Sequence, residues 1–508
     1  MMEHITVKEI LEATGGKLLC GSEKTPVEHI SIDSRTMKGN DLFVPLIGEK
    51  VDAHRFISQA IGNGAVAVLT SEHECAEKVA GGKLDVSGGA TAIAAENPGR
   101  AFAEPPGAVP AWIRVEDTTR ALQAIGKYYR QRLHLPLIGV TGSVGKTTTR
   151  EMISAALAAK YRVYKTPGNH NSQVGVPITL SEITSQDEVG VIELGMSEPG
   201  ELTVIAQIAQ VDMAVITNIG VTHIEQLGSK ENIYREKLSI QDGLKPGGIL
   251  FLNGDDELLK KTKARDGFTT VYYGTEETCD YRAEEIHLVD GYPVFTAVHR
   301  EKKVPVSLRV MGRHQILNAM VALAVAESMG VPMEAAAGSL GEFTGFDNRQ
   351  QIYRLDGITC IDDTYNASPV SMKAAIDILS TIKGERPFGR RIAVLADMKE
   401  LGEDAPEFHR EIGEYLAQKP VDILAAYGEL ASEIAGAAET VSAAEAQRHI
   451  MAARQNGKGT ITVKRFQDKQ KLEEWLDQTL TAGDIVLFKG SNSMKLGEVV
   501  EHVRQHHH

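Results

Sequence analysis

The chain has 508 residues, 42% of them hydrophobic and 24% charged, with a formal net charge of −14. That length exceeds one hydrophobic core and predicts about three domains of roughly 150 residues. The acidic excess, with no basic block against it, excludes a dedicated nucleic-acid binder but leaves room for a phosphate-bearing small molecule held by one lysine and backbone N–H groups.

The first residues, "MMEHITVKEILEATGG", carry early acidic groups and no apolar core, so no signal peptide is expected. Between Ile5 and about Arg114, short strands such as "AVAVL" at 65–69 mix with helical stretches. The Gly-, Ala- and Pro-rich run at 81–110 reads as an irregular insertion, with disorder as the alternative, and places a domain boundary near 115. From there, "PLIGV" at 136, "VGVIEL" at 189, "MAVITNI" at 213 and "GILFLNGDD" at 248 read as strands buried on both faces. Helical stretches separate them, and "HQILNAMVALAVAESMG" from His314 closes this block near 340. A second α/β series follows, with strands "GITCIDDTY" at 357, "RIAVLADM" at 391, "VDILAAYG" at 421 and "DIVLFKGS" at 484.

The fold class is therefore α/β, in three domains over 1–115, 116–340 and 341–508. The first is small, the second is a P-loop-type, mostly parallel sheet, and the third is Rossmann-like. Polar residues collect at the C-terminal strand ends, where open α/β sheets bind ligands, and two such sheets predict a cleft between domains. Cys20, Cys75, Cys279 and Cys360 share no spacing of a zinc site or disulfide framework. No run approaches the roughly 20 apolar residues that span a bilayer, so no membrane insertion and a cytoplasmic location are expected. The terminal His506-His507-His508 is given no metal role.

The densest chemistry lies in "GVTGSVGKTTTR" at 139–150. Glycines let backbone N–H groups face a phosphate, a lysine reaches its outer oxygens, and a hydroxyl suits Mg2+. Gly142, Gly145, Lys146 and Thr147 supply these, although Val140 stands where the standard eight-residue motif has its first glycine.

This loop variant, running from Thr141 through Gly142, Ser143, Gly145, Lys146 and Thr147 to Thr148, resembles that of the Mur ligases, the ATP-dependent amide ligases that build the bacterial cell-wall peptide. Further segments resemble the same family in the same order: "TPGNHNSQVGVP", "IELGMSEPGE", "TNIGVTHIEQLGSKENIYREK", "GRHQILNAMVALA", "DDTYNASPVSMKAAI" and "LADMKELG". Within the family, "TYNASP" with "LADMKELG" is similar to the member that adds D-Ala-D-Ala to UDP-MurNAc-tripeptide. The His-containing strand end and "DNPR"-like motif usual in the ligase adding the third residue are missing. The resemblance implies that ATP phosphorylates a carboxylate, an amine then attacks the acyl phosphate, and ADP and phosphate are released. The substrates implied are UDP-MurNAc-tripeptide and D-Ala-D-Ala, with L-lysine or meso-diaminopimelate as the third peptide residue; a monomer is expected. Two alternatives stand beside it: another ligase of the superfamily, such as the one adding the third peptide residue or a folyl-polyglutamate-like enzyme, and a nucleotide-dependent binding protein that does not catalyse.

By the same resemblance, Lys146, Glu193, His223 and Lys237 are catalytic, with Lys146 on the transferring phosphate. Mg2+ is assigned to Thr147, Glu193, His223 and Lys237, the last as a CO2 adduct, although Ser239 replaces the family's usual Glu. The loop from Thr141 to Thr148, with His314, Asn318, Arg349, Asp363 and Asn366, is assigned to the nucleotide. Substrate contacts are assigned to Ser34, Arg35 and His54 for the uridine diphosphate, and to Asn169, Asn171, Tyr365, Lys489 and Ser491 for the rest. Ser172, Asn348 and Asn492 depart from the family's commoner residues.

Overall fold

A computed structural model describes residues 2–71, 109–346, 349–383, 389–451 and 461–507, with backbone alone for 445–451. Of the expected irregular run at 81–110, residues 81–108 lie outside the described residues, as does Asn348. The described residues form three sheets of five, nine and six strands.

The first sheet runs in the order Lys17–Cys20, Ala111–Arg114, Ala65–Thr70, Asp41–Phe43, His29–Ser31, with only its first pair antiparallel. The second is built around Leu137–Thr141, flanked in parallel by Val189–Glu193 and Met213–Ile216, and every residue of these three strands is buried. Such strands read as unbroken apolar runs because helices cover both faces. Lys146–Leu157 and Gln315–Ser328 pack on one face, and Gly175–Ser181 and Glu201–Ala209 on the other. The chain leaves Leu137–Thr141 to lay the next strands on one side and Met213–Ile216 on the other, so the glycine-rich loop sits where strand order reverses.

Sequence reading missed the far edge of this sheet. After Thr269–Gly274 come Tyr281–Val289, Tyr292–His299 and Lys302–Ser307, the last three forming an antiparallel meander. Its first turn, Asp290-Gly291, has φ of 53° and 87°, the left-handed pair that a two-residue hairpin needs. Polar residues alternate with buried ones along these strands, so they lack the apolar runs that marked the parallel core.

The third sheet keeps the four strands read from sequence, Ile358–Asp363, Ile485–Lys489, Arg391–Ala396 and Ile423–Tyr427, as parallel neighbours. Gln351–Leu355 adds an antiparallel edge and Thr462–Phe466 a parallel one.

The first two sheets share the helix Thr118–Arg132, whose Leu122, Ile125 and Tyr129 enter the N-terminal core. From its last turn the buried Arg130 reaches across to the second sheet's layer. Its guanidinium donates to the carbonyls of Ala209 at 2.7 Å, Gln210 at 2.8 Å and Leu133 at 3.0 Å. Two of these acceptors end the helix Glu201–Ala209, where carbonyls lack partners within the helix. Arg130→Ala is expected to destabilise the protein by about 2–4 kcal/mol, since it leaves buried carbonyls unsatisfied; urea unfolding measures it, and Arg130→Lys should recover only part of the loss.

Candidate active site

The loop after Leu137–Thr141 turns on two glycines. Gly142 has φ of 150°, and a Cβ there would lie 1.8 Å from Thr217 Oγ1, so no larger residue fits. Gly145, with φ of 85°, precedes the helix that Lys146 opens, placing a helix N-terminus at the loop. Lys146 Nζ donates to the Gly142 carbonyl at 2.9 Å. Burial and the Arg349 charge push its ammonium below the usual lysine range, against the raising effect of Glu193.

Glu193, 3% exposed, ends its strand beside this helix. Its Oε2 accepts from Thr147 Oγ1 at 2.9 Å and from Arg150 at 3.4 Å, and its Oε1 accepts from Asn171 Nδ2 at 2.8 Å. Sequence alone does not single out Arg150, because an arginine at the fifth position of an amphipathic helix looks like surface charge. It is 4% exposed, and it also bonds the Gly168 carbonyl and Glu151.

A cleft of about 1270 Å³ opens over these groups. On the loop side its wall holds Ser143, Gly145, Lys146, Thr147 and Thr148, with Asn169, Asn171, Glu193 and His223. His314 and Asn318 line another part, and Arg349, Asp363, Tyr365, Asn366 and Lys489 come from the third sheet's side. The structure thus gathers residues separated by over 300 positions in the chain. A cleft this large exceeds what one drug-sized ligand fills.

Contacts across the cleft refine several expectations. His314 caps the helix Gln315–Ser328, and Asn318 within it accepts from Thr149 Oγ1 at 3.0 Å, so this helix is tied to the phosphate loop's helix. Burial holds the His314 imidazole below its usual pKa, hence neutral, and its Nε2 lies 3.0 Å from Gln350 Nε2. Gln350 also meets Gln315 at 2.9 Å. Neither glutamine was read from sequence, although Gln350 directly follows Arg349. The Arg349 guanidinium stacks 3.9 Å from the centre of the Tyr365 ring, a cation–π contact that aims it at the cleft. His223 Nδ1 lies 2.7 Å from Glu400 Oε2 of "LADMKELG", without the alignment of a hydrogen bond. The imidazole in turn lowers the Glu400 pKa.

Other expected residues fall outside the cleft wall or are already engaged. Thr141 is fully buried as the last residue of its strand, and Gly142 shapes the loop from behind. Lys237 is 2% exposed and off the wall; burial, with the Lys146 charge, holds its pKa well below the usual value. Lys489 does line the cleft, but its ammonium is held by Asp363 Oδ2 at 2.7 Å and the Asn366 carbonyl at 3.0 Å. Ser491 turns away, its Oγ accepting from the Lys399 N–H at 2.9 Å.

The N-terminal trio lies apart from this cleft. Ser34 is buried and donates to Gln59 at 2.9 Å. His54, 3% exposed, has Nδ1 2.6 Å from Asp52 and Nε2 3.1 Å from the N–H and hydroxyl of Ser71, so both ring nitrogens are occupied. Arg35 is exposed and paired with Asp33, whose carboxyl its hydrogen bonds hold at about 2.

Residues 26–130 match the Mur ligase family catalytic domain, 140–326 the Mur ligase middle domain, and 348–492 the Mur ligase glutamate ligase domain. The UDP-N-acetylmuramoyl-tripeptide--D-alanyl-D-alanine ligase of Bacillus subtilis is 35% identical over 498 residues, covering 98% of this chain and 97% of that protein. The ligase of the same name from Haemophilus influenzae is 30% identical, covering 98% and 97%. Among solved structures, MurF from Acinetobacter baumannii superposes with a TM-score of 0.81 at 27% identity, covering 99% of both chains. MurF ligase from Thermotoga maritima in complex with ADP gives 0.74 at 25% identity, covering 94% and 98%.

Glu193→Ala leaves Thr147, Arg150 and Asn171 without their shared acceptor. The variant is expected to bind ATP in the presence of Mg2+ at least about tenfold more weakly, as read by calorimetric titration, while its circular dichroism keeps the wild-type α/β signature.

Proposed function

This chain belongs to the Mur ligase family, and from that premise we propose that it joins D-alanyl-D-alanine to UDP-N-acetylmuramoyl-tripeptide, converting ATP to ADP and phosphate. The observation that carries this reading is one cleft shared by two strand-end edges, with Lys146 and Glu193 on one side and Arg349, Asp363 and Tyr365 on the other. A carboxylate resists an amine because its leaving group would be oxide. Transfer of the γ-phosphoryl group to the tripeptide's terminal carboxylate makes a mixed anhydride. The amine nitrogen then attacks the carbonyl carbon, loses a proton, and phosphate departs with the C–O bonding pair.

Lys146 and the N–H groups at the start of its helix face the phosphates, where negative charge shifts during transfer. Arg349, stacked on Tyr365, brings a second cation from the opposite wall. His314 and Asn318 line the cleft on the nucleotide's side of this reading, with Asp363 and Asn366 facing them from the third sheet. Asn169 and Asn171 flank the phosphate loop, in reach of the acyl end, with Tyr365 across the cleft. Since Lys489 and Ser491 are engaged, their part is to set the strand end rather than to donate to a free carboxylate. Ser34, Arg35 and His54 belong to the uridine diphosphate end in this reading. Arg35 is its exposed cation, and the buried Ser34 and His54 hold the surrounding loops.

The donor set fits Mg2+: the Thr147 hydroxyl and the Glu193 carboxylate are hard oxygens 2.9 Å apart. His223, its Nδ1 beside Glu400, has Nε2 as its second donor atom. Bound there, Mg2+ would neutralise phosphate charge. Burial favours the neutral amine of Lys237, the form that adds CO2, and the resulting carbamate would supply anionic oxygens. The proposal includes domain limits at 115/116 and 340/341, a monomeric state and a cytoplasmic location. Among the described residues, no helix is long and apolar enough to cross a membrane.

Phosphate release from ATP is expected to require both UDP-MurNAc-tripeptide and D-Ala-D-Ala. Lys146→Met should lower kcat by about 10²–10³-fold, as for loss of a preorganised group on the transferring charge. Acceptance of glutamate or diaminopimelate with refusal of D-Ala-D-Ala would instead identify a ligase of another step. ATP binding with no product from any donor would identify a binding protein.

A further inference from the structure

The two helices that close the chain, Lys469–Thr479 and Leu496–His506, pack side by side through Leu472, Leu476, Val499 and Val503. On the solvent side of this seam, Asp477 from the first meets His502 and His506 from the second. The two histidines are four apart and share one helix face. Their rings stack with centroids 4.1 Å apart. His502 Nε2 lies 3.1 Å from both oxygens of Asp477, and one ligand atom from each of the three residues falls within 4.8 Å of the others.

We propose that Asp477, His502 and His506 bind a divalent transition ion of the Zn2+ class, which ties the last helix to the one before it. Two imidazoles and one carboxylate suit a borderline ion rather than Mg2+ or Ca2+, which prefer all-oxygen shells. With bonds of about 2.0 Å, a tetrahedral ion sets its ligand atoms about 3.3 Å apart, and the His502–Asp477 pair already stands near that spacing. The ion takes the place of the direct contact between these two groups.

His506 is prepared for the same role. Its Nδ1 lies 2.8 Å from the His502 carbonyl, so as Nδ1–H it donates there and presents the Nε2 lone pair. A backbone carbonyl on the far nitrogen is how metal-binding histidines are commonly oriented. Both histidines lie in the final turns of their helix, where the backbone dipole favours a cation. Of the terminal histidines, His506 thus joins a cluster that no local pattern supplies, since Asp477 precedes His502 by 25 residues.

The test is a Zn2+ titration of the full chain by competition with a chromophoric chelator, in excess Mg2+ so that oxygen-rich sites are filled. Wild-type protein is expected to take up a Zn2+ equivalent that raises its thermal midpoint. Asp477→Asn and His502→Ala should each weaken that uptake at least about tenfold and abolish the thermal shift, with circular dichroism unchanged. His507→Ala/His508→Ala should behave as wild type. Equal Zn2+ uptake by wild type, Asp477→Asn and His502→Ala would overturn the proposal, as would uptake lost only when His507 and His508 are replaced. Ligase turnover is independent of this readout, so failure here leaves the functional reading intact.

Discussion

The Glu193 carboxylate is the group on which the site depends. It is buried, and it accepts from Thr147 on the loop's helix, from Arg150 one turn on, and from Asn171 in the following turn. A buried carboxylate without such donors would be driven to its neutral form, and donors without it would be orphaned at similar cost. Each side therefore requires the other. The arrangement fixes the strand end, the phosphate loop's helix and the 168–171 turn as one body, and it keeps a negative charge next to Lys146, opposing the desolvation that disfavours the ammonium.

The same economy of space explains the unusual loop. Val140 is fully buried inside its strand, between Glu193 and Val215 of the neighbouring strands. A β-branched residue is favoured there, and a glycine would weaken the pairing. The turn begins two residues later at Gly142, where contact with Thr217 admits no side chain. What looks in sequence like a defective phosphate motif is a strand that runs on through Thr141 before the loop starts at Gly142.

The cleft is completed by contacts between distant segments. His223 meets Glu400, Gln350 bridges His314 and Gln315, and Arg349 stacks on Tyr365. These polar contacts join the second and third sheets around the cleft, beside an apolar contact in which Met311, Val221 and Tyr292 pack against the third sheet's core. Closure of such a cleft can withhold chemistry until substrates are bound.

Sequence alone determined the parallel cores, because strands covered on both faces must be apolar along their whole length. It also placed polar residues at their C-terminal ends, and by family resemblance it assigned ATP-dependent ligation to them. The antiparallel meander escaped it, since half-exposed strands alternate and carry no long apolar signal. Only the tertiary structure decided which polar groups are available. His54 and Lys489 read as contacts by type and position, yet the His54 ring nitrogens are taken by Asp52 and Ser71, and the Lys489 ammonium by Asp363, which is far away in the chain. Arg150 and Gln350 carry no local signal that singles them out, yet packing makes them parts of the site. Residue type sets what a side chain can donate or accept, whereas its partners depend on long-range packing that no local pattern encodes.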